Sequence, residues 1–170
     1  MLFLVAAVIV STVLCLGNLL LTFAILRRLR DHEERLAGGG PFGSPGPDAL
    51  IGRTMPAFTG TSTRGEAVSE ATGRLVGFFS ASCGPCRELA AEFARHPDEG
   101  RMAFVVLESA SEPDRAAILD ALGDSPTVLV DPTSQAVAEA LGVRSFPTLV
   151  QVDEADTVVE ARHSLAALAG

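Results

Sequence analysis

Arg74-Leu75-Val76-Gly77-Phe78-Phe79-Ser80-Ala81-Ser82-Cys83-Gly84-Pro85-Cys86-Arg87 is the stretch on which the reading of this chain turns. Its first half, Arg74–Ser80, is a short apolar run of strand character, and a helical pattern follows through about Ala94. Cys83 and Cys86 fall at the handover. A cysteine at a helix N-terminus meets unpaired backbone N–H groups and the positive end of the helix dipole, both of which favour a thiolate. Two intervening residues let the second sulfur approach the first once the helix turns. Cys83 is therefore expected to be the exposed nucleophile and Cys86 the more buried resolving thiol. Exchange would pass through a mixed disulfide on Cys83 that Cys86 releases.

Other uses of a C-x-x-C pair fit less well. Attachment of a c-type haem needs His directly after the second cysteine, and Arg87 stands there. A structural zinc site needs two further ligands. The third cysteine, Cys15, lies in a distant apolar stretch, and His96 and His163 supply no second cluster of matching spacing. Three cysteines with one close pair do not describe a disulfide-stapled scaffold either. No metal and no cofactor beyond the Cys83–Cys86 pair is expected.

The chain has 170 residues, enough for one ordinary domain and an appendage. Its 48% hydrophobic content is concentrated at the start, where Leu2–Leu26 carries no charge. At ~1.5 Å per residue such a run can cross a ~30 Å hydrocarbon core. A cleaved signal peptide is disfavoured by the absent basic n-region, the length of the run and the lack of an A-x-A-like site. Leu14 argues against lipoprotein processing at Cys15. Residues 1–27 therefore read as a membrane anchor. Residues 28–48 follow as an Arg-rich helical extension and then a Gly/Pro linker, Gly38-Gly39-Gly40-Pro41-Phe42-Gly43-Ser44-Pro45-Gly46-Pro47. The net charge of −8 argues against a nucleic-acid partner, because phosphate binding needs basic patches.

Residues 49–170 alternate between strand and helix patterns. Strands are expected at Arg74–Ser80, Met102–Leu107, Thr127–Val130, Thr148–Val152 and Thr157–Ala161. Helices are expected up to Ala94, at Asp114–Leu122 and at Ser134–Leu141, the last stopped by Gly142. The two final strands are joined by the polar turn Asp153-Glu154-Ala155-Asp156. Alternating β and α elements that end in a hairpin imply an α/β fold with a mixed central sheet flanked by helices. His96 is expected to cap the active-site helix and His163 to be exposed.

Phe78–Arg87 resembles the thioredoxin active-site segment, including its Cys-Gly-Pro-Cys tetrapeptide. Gly142-Val143-Arg144-Ser145-Phe146-Pro147-Thr148 resembles that family's Gly-Val-x-x-x-Pro-Thr, whose proline is cis and faces the cysteines. The resemblance implies a thioredoxin-like fold and a substrate groove formed by Gly84, Pro85, Phe146 and Pro147, with backbone beside Pro147 free to pair with an extended peptide. Ile51–Phe58 followed by Thr63–Val68 looks like the N-terminal hairpin of the redoxin branch, which includes TlpA/ResA-like reductases and peroxiredoxins. A tether followed by His32-Glu33-Glu34-Arg35-Leu36 resembles the layout of MauD-type methylamine utilisation proteins. Against the pattern, Gly77 stands where thioredoxins carry a buried acid, Ser82 replaces a Trp, and Leu89 occupies a place where TlpA/ResA-like proteins often carry Glu. The terminal helix of the fold looks shortened after Ser164.

The resemblance implies a bacterial, membrane-tethered enzyme that reduces disulfides in partner proteins and draws electrons from an upstream thiol donor. Arg27, Arg28, Arg30 and Arg35 after the span would hold the redox domain in the cytoplasm by the positive-inside rule. Comparison with tethered redoxins places it outside, where disulfides persist, and that side is preferred here. Two alternatives stay open. One is a peroxiredoxin-like peroxidase, although Val76 and Ser80 stand where its Pro and Thr are expected. The other is a non-catalytic maturation or docking factor.

Overall fold

The computed structural model describes residues 46–70, 75–98, 100–108 and 110–165. The expected anchor, most of the expected linker and the end of the chain beyond 165 lie outside these. Among the described residues no helix is long and apolar enough to cross a membrane.

Strand β3 (Leu75–Ser80) is buried along its whole length, as an uninterrupted apolar run bounded by polar residues should be. It forms the middle of a five-stranded sheet with β4 (Met102–Val106), β5 (Thr127–Val130), β6 (Thr148–Val152) and β7 (Val158–Arg162), in the order β5-β4-β3-β6-β7. β3, β4 and β5 run parallel, while β6 and β7 run antiparallel to their neighbours. The sheet is mixed, as the alternation of patterns implied.

The two-residue period of β3 sends its side chains to opposite faces. Val76 and Phe78 join Met102, Phe104, Leu129 and Val150 on one face, and helix α3 (Thr133–Leu141) covers them with Val137, Ala138 and Leu141. Leu75 and Phe79 join Ala103, Val105 and Leu149 on the other. There α1 (Gly84–Arg95) supplies Cys86, Leu89, Ala90 and Phe93, and α2 (Glu112–Leu122) supplies Ile118 and Leu122.

Each helix ends for a local reason. Ser111 caps α2 by accepting from the Asp114 amide. Gly142 closes α3 at φ 87°, a left-handed conformation that glycine adopts without steric penalty. At the end of α1 His96 is the cap residue, through its backbone: its amide donates to the Phe93 carbonyl at 3.2 Å, while its side chain serves elsewhere. The His96 ring turns to Asp98, 3.3 Å from its carboxylate, and the carbonyl of Ala94 is met by Arg101 at 3.0 Å. Arg101 also bonds the Asp98 carbonyl and Ser125 Oγ. Its guanidinium offers several donors in a fixed fork, which a single His cannot match.

The expected N-terminal hairpin is present but displaced. β1 (Gly60–Thr61) pairs with β2 (Ala67–Val68) through a turn at Gly65, φ 83°. Residues 51–58 are not its first arm. Pro56 removes a ladder donor there, and this stretch instead lies along the outer side of β7, with Thr54 bridged to Thr157 and the Val158 amide donating to the Arg53 carbonyl at 2.8 Å. Met55 and Phe58 then cross the face of the sheet, Phe58 meeting Phe104 edge-on at 5.2 Å. The segment reaches β5 on the far side, where Ser62 bridges Leu129 and the Thr63 amide donates to Val128.

Ser134 ties α3 to two strands. Fully buried, it donates to the Leu129 carbonyl at 2.7 Å and accepts from the Val105 amide at 3.1 Å. Ser134→Ala leaves two buried backbone groups without a partner and is expected to lower stability by about 1–3 kcal/mol. Denaturant unfolding checks this, and a loss below about 0.5 kcal/mol, the ordinary range of a surface change, contradicts it.

Candidate active site

The end of β3 delivers the chain to the cysteines by ordered pairing. The Ala81 amide still donates to Val106 of β4 at 2.9 Å, and the Cys83 amide then turns back onto the Ser80 carbonyl. Helix α1 starts at Gly84, with Pro85 in its first turn, where the missing N–H has no helical partner to lose. Cys86, Leu89, Ala90 and Phe93 form one apolar stripe at helical spacing. Cys86 is the first member of that stripe and is 0% exposed. Cys83 precedes the helix as its N-cap and is half-buried at the lip of the site. The two are joined as a disulfide, with Cα atoms 5.3 Å apart. Gly84 and Pro85 are exposed beside it, and the space over Gly84 is open.

The turn after α3 brings the second half of the site. The Phe146–Pro147 peptide bond is cis, and the Phe146 carbonyl oxygen lies 3.5 Å from Cys83 Sγ. In the disulfide this is a contact without a proton; after reduction a Cys83 thiol can donate along it. Pro147 is buried, while Phe146 is half-buried and packs against both cores. The structure thus brings together Cys83, Cys86, Gly84, Pro85, Phe146 and Pro147, the residues singled out in the sequence.

The charges around the site are modest. Arg87 pairs with Asp114 at 3.3 Å across α1 and α2, both side chains being exposed. A pair of this kind contributes little. Glu88 and Glu92 face solvent. At Gly77, where thioredoxins carry a buried acid, an added Cβ would stand 2.5 Å from the Phe79 ring and 3.2 Å from that of Phe93. The place of the acid is occupied by packed aromatic carbon. Among the described residues no group of three or more His, Cys, Asp or Glu is placed to hold a metal ion.

Two features were not legible beforehand. His163, expected to be exposed, is half-buried, and its Nδ1 lies 2.6 Å from the Pro147 carbonyl oxygen. A second cis peptide joins Asp131 to Pro132, and Asp131 Oδ2 accepts from the amides of Leu107 and Glu108 beyond β4. The Asp-Pro dipeptide was a signal for the second; nothing local signalled the first.

Residues 64–162, more than half of the chain, match the thioredoxin-like domain family. The chain belongs to the thioredoxin-like family. Among solved structures it is similar to the thioredoxin domain of a thiol-disulfide oxidoreductase from Bacteroides vulgatus, at 25% identity and a TM-score of 0.50, over 66% of this chain and 87% of that one. A thio-disulfide isomerase from Thermus thermophilus shares the fold at 15% identity and a TM-score of 0.53, over 67% of this chain and 86% of that one. So does a secreted Mycobacterium tuberculosis disulfide oxidoreductase, at 15% identity and a TM-score of 0.51, over 64% and 84%. No curated protein matches this chain. By class this thioredoxin-like chain is a thiol–disulfide oxidoreductase, a family whose chemistry resides in a redox-active disulfide and needs no cofactor.

Proposed function

We propose that this thioredoxin-like chain is a membrane-tethered reductase of protein disulfides, with Cys83 as nucleophile and Cys86 as resolving thiol. The observation that carries the reading is the Cys83–Cys86 disulfide at the head of α1, with the more accessible sulfur beside the cis-Pro147 loop. In the reduced protein the Cys83 thiolate attacks one sulfur of a partner disulfide, and the other partner sulfur leaves as a thiolate. Cys86 then attacks Cys83 Sγ, the second partner sulfur leaves, and two electrons have passed to the partner. An upstream thiol donor reopens the Cys83–Cys86 bond by the same chemistry. Gly84, Pro85 and Phe146, shaped from beneath by the buried Pro147, form the surface that receives the partner, an extended segment pairing with backbone beside Phe146.

The decisive assay is reduction of a protein disulfide by the pre-reduced protein. One disulfide opened per chain, with Cys83–Cys86 oxidised in step, is expected, and no transfer would end the reading. Peroxide consumption without protein-disulfide reduction would favour the peroxidase alternative instead. Full cellular function without either cysteine would favour a docking factor.

The tether rests on the apolar run in residues 1–27, the spacer 28–48 and the redox domain 49–170. The extracytoplasmic side rests on the need for a local disulfide reductant there. In intact cells treated with a reductant, Cys83 is expected to react with a membrane-impermeant thiol reagent. Labelling only after cell lysis would place the domain inside.

A further inference from the structure

The loop that faces Cys83 offers three successive carbonyls, and each has a different partner. Ser145 O accepts from the Thr148 hydroxyl at 2.8 Å. Phe146 O faces Cys83 Sγ at 3.5 Å. Pro147 O meets His163 Nδ1 at 2.6 Å. The outer two are held by side chains, and the middle one faces the reactive sulfur. The Ser145 carbonyl shares its peptide plane with the Phe146 amide, and the Pro147 carbonyl belongs to the next plane but one. With φ of Pro147 fixed by its ring, holding both restrains the Phe146–Pro147 peptide between them.

His163 can do this because of where β7 ends. The last rung of the β6–β7 ladder is Leu149 opposite Arg162. His163 follows directly, and its ring extends the lacing by one contact, onto a proline that has no N–H of its own to anchor it. A carbonyl oxygen only accepts, so Nδ1 must carry the proton in either charge state of the ring.

We infer that His163 is a positioning residue of the substrate groove: its Nδ1–H holds the cis-Pro147 carbonyl and thereby sets Phe146 for pairing with the partner's extended segment. The inference rests on the reading of Cys83–Cys86 as a reductase of protein disulfides. Loss of the hydrogen bond then weakens partner binding more than it slows exchange at the sulfurs.

His163→Ala is expected to raise KM for a protein disulfide by about tenfold with kcat changed by less than about twofold. His163→Asn, whose side-chain amide can donate from the position of Nδ1, is expected to restore KM, and His163→Leu is not. Equal KM in wild type and the Ala variant, an equal loss in Asn and Leu, or a fall in kcat alone overturns the inference. If the Ala variant does not fold, the Asn variant decides, since a tenfold rise in its KM contradicts the role. Two readouts need no activity. Ring nitrogen NMR should show a protonated Nδ1 at neutral pH, and the Phe146 amide resonance of the oxidised protein should move in His163→Ala relative to wild type, an unchanged resonance contradicting the role. If wild type reduces no protein disulfide, the functional reading falls, while these two measurements still decide whether His163 holds the loop.

Discussion

Cys83→Ser is expected to lower protein-disulfide reduction by at least about a thousandfold, because a serine hydroxyl at neutral pH supplies no anion able to attack sulfur. Cys86→Ser is expected to behave differently. Its Cys83 can still attack, but nothing inside the protein releases the adduct, so a mixed disulfide with the partner accumulates. The asymmetry follows from position. Cys83 precedes the helix at the lip of the site, whereas Cys86 begins the buried stripe of α1 and has no exposed surface. A partner sulfur can approach along the open space over Gly84 and reach Cys83 first. Non-reducing electrophoresis with mass identification of the linked cysteine separates the two variants. Adducts on Cys86 in the Cys83→Ser variant, or full turnover by either variant, would reverse the assignment.

Gly77→Asp, which would restore the buried acid of thioredoxins, is expected to destabilise this protein severely. Gly77 lies in the centre of β3, opposite Ala103 of β4 and Leu149 of β6. A Cβ there meets Phe79, whose ring is fully buried and packed edge-on against Phe93 at 5.5 Å. Neither ring is a flexible end that can swing away. Overpacking of this kind costs about 1–3 kcal/mol, so Gly77→Ala should show that loss by itself. An aspartate adds the cost of burying a carboxylate against the Phe79 and Phe93 rings. The total, ~4 kcal/mol or more, is a large share of the stability of an ordinary domain of about 5–15 kcal/mol. Urea unfolding should therefore rank wild type above Gly77→Ala and both well above Gly77→Asp. An aspartate variant as stable as wild type contradicts this expectation.

The sheet and its three helices were legible because their signals are local. An unbroken apolar run such as Leu75–Ser80 needs two covered faces, and the 3.6-residue spacing of Cys86, Leu89, Ala90 and Phe93 needs a core beneath it. Gly142 marked the end of α3 for the same reason. The nearness of Phe146-Pro147 to the cysteines could be expected from resemblance alone, since no physical rule joins residues so far apart in sequence. What failed depended on packing across elements. Resemblance to the redoxin branch suggested an arm of a hairpin at Ile51–Phe58, but Met55 and Phe58 there cover the sheet instead. His96 caps α1 through its main-chain amide, but its ring does not, because Arg101, just before β4, reaches the Ala94 carbonyl. His163 looked like a lone polar residue after a strand, because its partner lies sixteen residues back in sequence and is a main-chain atom, which leaves no trace in residue type.

The path of residues 51–63 matters beyond the core that it covers. A sheet of this kind has two outermost strands, here β5 and β7, and unpaired backbone along such a strand is a template onto which another copy can add. In this protein the same short segment occupies part of both borders, at Val158 on one side and at Val128 and Leu129 on the other. A bare border would invite copies of the chain to pair edge to edge. By covering part of each border, the segment shortens that template and leaves the extended backbone pairing proposed beside Phe146 as a reversible contact with a partner, not the first step of a fibre.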